Sequence, residues 1–520
     1  MPLSRRSLFA ASAFGTAAGV LGLPIARAAE PGVIGPGDPG YAELTERGYN
    51  RRFTARPQRI FVPADAEGVR AAVERSVHEG LRVAVRSGGH GFDDFVDNEH
   101  TRSIIDLQRL TAVDWDAEHG AFSVAAGADL GAMYERLLGG WGVTVPAGIC
   151  KGVGAGGHIS GGGYGPLSRR FGLVADHLHG LEIVTVGTDG RATTLVATKD
   201  GPHADLWWAH TGGGGGNFGV VTRYLLRSAD SGGSDPARAL PAAPGSMLST
   251  RVVLPLATED SFVRFVGNYI AFFERHGAPG DPFAGLYAPL HLKPGITGSD
   301  ILILLDADRP GARARFDEFV AAISEGVTPP PLVLPPAEKS YGDTLSTVYY
   351  AKGMPGFRVK VKSAYLREAY SADQLRVLYR YLTDLRFLGE SQVEFLPFGG
   401  AVNAVAPGAT ASPERGSFLK MLIHAAWRNP ADDERFVTWA REMYRDVYAA
   451  TGGVPVPNAA QGGSYINYPD ADLADPQWNT SGVPWHAFYY GGNYERLRAI
   501  KATWDPGTVF RHSLSLDRPG

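Results

Sequence analysis

The chain has 520 residues, with 50 Lys and Arg against 54 Asp and Glu, a net charge of −4 and 44% hydrophobic residues. That length allows two to four domains, the composition supplies a large core and excludes global disorder, and the charge balance excludes general nucleic-acid binding. Sixty-seven residues are glycine, roughly twice the usual ~7%, and a single cysteine, Cys150, excludes an intramolecular disulfide framework.

The N-terminus carries Arg5-Arg6, a soft apolar stretch from Ala10 to Leu23, and the small-x-small pattern Ala26-Arg27-Ala28. Twin arginines, a short apolar region and a cleavage pattern read as a twin-arginine export signal over residues 1–28. The expected address is extracellular or cell-envelope. No later stretch reaches the ~20 apolar residues of a membrane span, so no membrane anchor is expected in the mature chain.

Pro63 to Gly80 reads as a helix, with Val69, Ala72, Val73, Ser76 and Val77 at spacings of three and four. Leu81–Arg86 reads as a strand ending in Ser87-Gly88-Gly89-His90. Strands are expected at Ser103–Asp106, Val113–Asp116, Ala121–Ala125, Val143–Val145 and Leu181–Val186, and a helix at Leu130–Leu138. Ser228 to Gly245, rich in Ser, Gly, Pro and Ala, reads as a linker. Beyond it, strands such as Ile301–Leu305 and Ser391–Phe398 alternate with helical stretches at Ala312–Ile323 and Ala372–Leu385. Strands and helices mixed in this way predict an α+β fold. A first domain is expected at 35–235, a second at 236–464, and a C-terminal segment, 465–520, that returns to the first.

Four clusters can carry chemistry. Arg86-Ser87-Gly88-Gly89-His90-Gly91-Phe92 follows a strand directly. Successive N–H groups there suit a pyrophosphate, although the loop alone reads more readily as a plain turn with a surface histidine. Gly148 to Gly165 holds nine glycines in 18 residues, among them Gly148, Gly156, Gly157 and Gly161, with Cys150, Val153, His158 and Tyr164 between them. That density argues against a helix and for backbone lying flat on a large ligand. Cys150 reads equally as an inert small apolar side chain or as a nucleophile or cofactor tether. Trp207-Trp208-Ala209-His210-Thr211, five glycines to Gly216, then Asn217-Phe218-Gly219-Val220-Val221 form a second ligand-hugging loop. Tyr465-Ile466-Asn467-Tyr468-Pro469-Asp470 offers phenols, one of which becomes a general base if its site lowers its pKa. No His-Glu-x-x-His and no Gly-x-Ser-x-Gly occurs, so zinc-hydrolase and serine-hydrolase chemistry is not expected, nor any metal site.

Together the clusters resemble the berberine-bridge-enzyme-like branch of the vanillyl-alcohol-oxidase type of FAD-linked oxidases. The resemblance rests on Arg86–His90, on the Cys-containing loop Gly148–Gly165, on Tyr465-x-Asn-Tyr468, and on Tyr489-Tyr490-Gly491-Gly492-Asn493-Tyr494-Glu495-Arg496-Leu497 with Lys501 and Trp504-Asp505-Pro506. Gly163–Arg170, Asp205–His210 and Asn479–Trp485 look most like the secondary-metabolite oxidases of that branch.

The resemblance implies a two-domain p-cresol-methylhydroxylase-type fold, its FAD domain built from the N- and C-terminal segments with an α+β substrate domain inserted. It implies FAD held covalently through His90 and Cys150. Arg86, Ser87, Gly88, Gly89, Gly91, Gly148, Val153, Gly156, Gly157, His158, Gly161, Gly216, Asn217, Gly219, Val220, Val221, Asn467 and Asn493 are then expected around the cofactor. It implies Tyr468 as the base, Tyr164 as a polar partner beside the ring, and Val153 as the small residue where the branch gates oxygen. The expected activity is oxidation at a hydroxyl-bearing carbon of a sugar or glycoside, with O2 as the second substrate and H2O2 as a product. The rivals are oxidation of a non-sugar skeleton and a flavin-carrying protein without turnover. One departure stands out: where some relatives carry a second catalytic tyrosine before Gly-Gly, this chain reads Pro397-Phe398-Gly399-Gly400, which predicts a single two-electron oxidation or a different second base. Glu394 is the residue of that strand able to meet a sugar, unless it faces solvent.

Overall fold

The computed structural model describes residues 32–231, 234–255, 257–296, 298–352 and 356–518. The expected export segment lies outside these residues, as do positions 232 and 233 of the expected linker.

Two sheets form the first half. In the smaller, β1 (Val33–Ile34), β2 (Arg59–Phe61), β3 (Val83–Arg86) and β4 (Ser103–Asp106) lie in the order β1-β2-β4-β3. β4 runs parallel to both β2 and β3, and β1 runs antiparallel to β2. The second sheet is antiparallel: β5 (Val113–Asp116), β6 (Ala121–Ala125), β7 (Leu178–Val186), β8 (Ala192–Thr198) and β9 (Val220–Leu226), in the order β5-β6-β9-β7-β8. The helix predicted after Pro63 runs Ala66–His78, capped by Asp65, whose side chain accepts from the Gly68 N–H. Its buried stripe is Val69, Ala72, Val73 and Ser76, the three-and-four spacing of an amphipathic helix.

β10 (Ser246–Val253), β11 (Leu286–Tyr287), β12 (Leu290–Leu292), β13 (Asp300–Asp306), β14 (Leu332–Val333), β15 (Ala337–Ser340), β16 (Arg358–Leu366), β17 (Gln392–Pro397) and β18 (Leu419–Trp427) build a nine-stranded antiparallel sheet. Its main path is β14-β10-β13-β12-β17-β18-β16. Alternation along β17 and β18 divides its faces. Val393, Phe395, Met421 and Ile423 are fully buried in the core. Helices Glu259–Arg275, Ala372–Leu382 and Asp433–Val447 contribute their apolar stripes to that core. Gln392, Glu394, Leu396, Leu422 and His424 line a cleft on the other side. Ser371 and Gln374 form a capping box at one of these helices, two orphan donors satisfied reciprocally.

The C-terminal residues pack on the first half. Phe510 bridges to Val83. Lys501, fully buried, donates to the Asn217 and Phe510 carbonyls and pairs with Asp505 at 2.5 Å. Trp504 Nε1 donates to Asp205.

Two local expectations change. Val143–Val145 is not a strand: Val143 makes a single bridge to Ala242, because the segment crosses the domain rather than joining a sheet. The glycine-rich loop does contain a short helix, Ala155–Ser160. Its ends are held from outside, by Gly156 N–H to Ala126 O and the Ser160–Tyr224 hydroxyl pair, which offsets the glycine entropy. No described helix is long and apolar enough to cross a membrane.

Candidate functional site

A cavity of about 410 Å³ opens between the first two sheets and the nine-stranded sheet. Its floor is made by the loops at 86–91, 148–158 and 214–219. Tyr287, His291, Tyr350, Gln392, Glu394 and His424 form the roof, and Asn467 and Tyr468 one wall.

The floor depends on close backbone approach. A Cβ on Gly88 would sit 2.4 Å from the Gly154 nitrogen, and one on Gly154 would sit 2.2 Å from the Gly88 nitrogen. Only glycine at both positions lets these two loops touch. Ser87 adds a bond to Ala126 O at 2.6 Å and accepts from the Gly156 N–H. Arg86, expected at the cofactor, lines the cleft but spends its guanidinium within the protein. It is 1% exposed, bonds Asp106 at 2.9 Å and Leu44 O at 2.6 Å, and faces Asp97 at 3.3 Å. Its part is to anchor the loop, and the negative charge it neutralises belongs to the protein.

His90 stacks on Tyr49, ring centroids 4.5 Å apart and planes within 8°, with Phe92 edge-on at 5.7 Å. Burial lowers the His90 pKa to about 4, so its imidazole is neutral with a free lone pair. Cys150 lies in the same cleft. A strap around Tyr350 holds its loop: Lys151 N–H donates to Tyr350 O, and Tyr350 N–H to Ile149 O, both at 3.1 Å. Burial, helped by the charge of Glu394, pushes the Cys150 thiol up to about 12. His158, neutral through burial, accepts the Gly148 N–H through Nε2 at 3.2 Å.

Tyr468 sits on a tightly held turn. Its N–H donates to Tyr465 O, and its ring meets Tyr465 at 5.2 Å and Phe92 at 5.9 Å. The residues that follow are clamped by buried charge. Asp470 takes Lys360 at 2.6 Å and Lys362 at 2.7 Å, while Asp472 takes Lys362 at 2.8 Å and Arg441 at 2.6 Å. Asp93, three residues past His90, accepts the Ala471 N–H at 3.0 Å and so ties the His90 loop to the Tyr468 turn. Asn467 donates to His158 O and to the Tyr465 hydroxyl. Burial, with Glu394 next in effect, holds the Tyr468 phenol well above its ordinary value near 10.

Behind Tyr468 is a residue that the motifs did not flag. Lys420 on β18 is 1% exposed, and its Nζ has no hydrogen-bond partner among the described residues. Ring centroids surround it: Tyr164 at 3.2 Å, Tyr465 at 4.3 Å, Phe398 at 5.2 Å and Tyr468 at 5.4 Å. Burial lowers its pKa well below the lysine range, and the aromatic faces oppose that by favouring the ammonium. Its sequence signal was a lone lysine in the apolar run Phe418–Trp427. Tyr164 lines the cleft, but its hydroxyl is committed to Pro397 O at 2.5 Å.

Several expected cofactor residues lie elsewhere. Gly161 packs on Asn467, where a Cβ would fall 2.1 Å from Oδ1. Asn217 is fully buried, donates to Gly213 O and accepts the Leu516 N–H, so it staples the tail. Val220 is wholly buried in β9, since alternation sends its neighbour Val221 to the cleft instead. Asn493 donates to the carbonyls of Pro407 and Thr410 and closes a remote loop. Ser87, Gly88, Gly89, His90, Gly91, Gly148, Cys150, Val153, Gly156, Gly157, His158, Gly216, Gly219, Val221, Asn467 and Tyr468 do line the cleft. Tyr49, Tyr287, His291, Tyr350 and His424 line it too, and no motif announced them.

The lining fits an FAD. A Cβ added to Gly157 meets nothing within 4 Å, and at Gly91 and Gly215 nothing nearer than 3.8 Å and 3.9 Å, so these glycines open a flat channel. The N–H groups of Gly88, Gly89 and Gly91 donate to no backbone acceptor among the described residues and are free for a pyrophosphate.

The comparisons agree. A family model of the FAD binding domain matches residues 57–195, and the berberine and berberine-like model matches residues 464–517. The chain is 46% identical over 489 residues to the aclacinomycin-N/aclacinomycin-A oxidase of Streptomyces galilaeus, covering 93% of this chain and 89% of that one. The crystal structure of the glycopeptide hexose oxidase DBV29 complexed with teicoplanin superposes with a TM-score of 0.91 at 45% identity, covering 94% and 99%. GilR in complex with pregilvocarcin, an oxidoreductase of the terminal step of gilvocarcin biosynthesis, superposes at 0.90 and 38%, covering 94% and 100%. The chain therefore belongs to the berberine-bridge-enzyme-like family of FAD-dependent oxidoreductases.

Proposed function

We propose that this chain is an exported oxidase that removes a hydride from a hydroxyl-bearing carbon of a sugar or glycosylated natural product, with O2 as the electron acceptor and H2O2 as the product. The observation that carries the reading is a phenol, Tyr468, clamped beside a cleft that also receives His90 and Cys150. FAD, when bound, supplies the hydride acceptor and passes the electron pair to oxygen.

Tyr468 takes the proton of the substrate hydroxyl. Its pKa is high in the closed protein, so base strength must come from a neighbouring positive charge. Lys420, when its amine is protonated, is the side chain in place to supply it, through the face of the shared aromatic cage. The Asp470 and Asp472 clamp holds the turn so that the phenol keeps its place. Val153, half-buried on the floor, leaves room for oxygen. His90 and Cys150 attach the cofactor from two loops, which keeps it with an exported protein. Residues 1–28 provide the twin-arginine route.

Relatives support the substrate class by what they are named for: a glycopeptide hexose oxidase complexed with teicoplanin and a hexose oxidase of Chondrus crispus. GilR with pregilvocarcin favours a second reading, oxidation on a non-sugar skeleton. Peroxide release from the holoenzyme with a panel of monosaccharides, glycosides and aglycones separates the two. Turnover of sugars supports the first, aglycone turnover alone the second, and binding without peroxide defeats both.

A further inference from the structure

We propose that Glu394 makes this cleft selective for a sugar bearing a protonated amine near the hydroxyl to be oxidised, over neutral sugars and against uronates. The inference rests on the sugar-oxidase reading above and narrows its substrate class.

Glu394 is the one carboxylate among the described residues that line the cleft. The neighbouring acids are used within the protein: Asp470 and Asp472 by two buried lysines, and Asp106 by Arg86. Glu394 has no ion pair among the described residues. Gln392 Nε2 donates to its Oε1 at 2.8 Å, and Oε2 has no hydrogen-bond partner among the described residues, on a side chain that lines the cleft.

Its cross-strand neighbours do not neutralise it. In the register Asp300–His291–Glu394 across β13, β12 and β17, His291 turns Nδ1 to Asp300 at 3.5 Å and Nε2 to the Tyr350 hydroxyl at 3.5 Å. His424, on the adjacent strand β18, is held toward its neutral form by burial. The charge is felt across the chamber: it raises the pKa values of Tyr49, Cys150, Tyr287, Tyr350 and Tyr468.

Aromatic side chains face the same space, Tyr49, Phe92, Tyr287, Tyr350 and Tyr468 among them. A carboxylate without a counter-charge, ringed by aromatic faces, is the chemistry that recognises an alkylammonium group. Neutral hydroxyls bond the same oxygen more weakly, and a carboxylate on the substrate is repelled.

The test uses the flavin-loaded enzyme with methyl glucosaminide, methyl glucoside and methyl glucuronide, at a pH where the amine is protonated. Expected is kcat/KM for the glucosaminide at least about tenfold above the glucoside, the scale of one charge-assisted hydrogen bond, with the glucuronide lowest. The preference should shrink as ionic strength rises. In Glu394→Gln the glucosaminide-to-glucoside ratio should fall to near one. A wild-type ratio at or below one, or a ratio that Glu394→Gln leaves intact, overturns the assignment. If no glycoside yields peroxide, the oxidase reading fails separately. The same three ligands are then titrated by their perturbation of the flavin absorbance, where a Glu394-dependent preference for the amine supports the proposal and equal affinities overturn it.

Discussion

The side-chain nitrogen of Lys420 lies 3.2 Å from the centroid of the Tyr164 ring. Its Nζ has no hydrogen-bond partner among the described residues and faces the rings of Tyr164, Tyr465, Phe398 and Tyr468, so whenever the amine is protonated its influence reaches the Tyr468 phenol without a paired carboxylate. Replacing Lys420 by Met should lower kcat by about tenfold, one pKa unit being about 1.4 kcal/mol. The direction in pH follows: the ammonium favours the phenolate, so its loss raises the Tyr468 pKa and moves the rising limb of the rate profile to higher pH. A variant that is slow but keeps its limb in place assigns Lys420 a packing role.

Tyr468→Phe keeps the ring contacts with Tyr465 and Phe92 and removes only the hydroxyl. Steady-state turnover should fall at least ~100-fold, the scale of a general base. Sugar affinity, read by flavin absorbance, should change little. Undiminished turnover removes Tyr468 from the role.

Denaturation in acid reads the two attachments. Colour should stay with the precipitate in wild type and in the single variants His90→Ala and Cys150→Ala, and leave it in the double variant. Complete release from either single variant assigns the whole linkage to the residue that was changed.

The Lys360–Lys362–Asp470–Asp472 cluster predicts a stability effect. Lys362 is 2% exposed and serves both aspartates. Lys362→Met strands a buried negative charge and should cost about 3–5 kcal/mol, seen as a lowered denaturant midpoint. A change under 1 kcal/mol would mean water already reaches the cluster.

Acid should unfold the protein early. Burial holds His158 and His512 at about 3 and His210 at about 4, against 6.5 in the unfolded chain. Between pH 6.5 and 4 the unfolded chain binds more protons, so stability present above 6.5 is lost as pH falls. Tm measured across that window should drop steeply, and a flat profile counts against neutral buried imidazoles.

Much of this was readable in the residues. The strands Ser103–Asp106, Val113–Asp116 and Ala121–Ala125 and the helix from Leu130 followed from local periodicity, and the glycine loops announced close backbone approach. Four cofactor candidates, Gly161, Asn217, Val220 and Asn493, are absent from the lining of the cleft. Motif membership does not say which way a side chain turns, and Val220 and Asn217 face the core while Val221 faces the cleft. The roof was harder. His291 on β12, His424 on β18 and Tyr350 on a strap come from separate parts of the chain, and the pairing of β12, β17 and β18 brings the two histidines to one face. The linker read as uniform hides a short helix, Pro236–Ala239, whose last residue accepts the Ser228 N–H.

The Tyr350 strap has a consequence for how a large molecule is handled. Because its backbone is laced to the Cys150 loop on both sides, the roof and floor cannot swing apart without breaking that ladder. The chamber therefore admits guests by its mouth alone. Under the sugar-oxidase reading, a bulky glycoside would present one terminal ring inward while its remaining mass rests outdoors, so tolerance for the scaffold and strictness toward the tip would come from the same stitch.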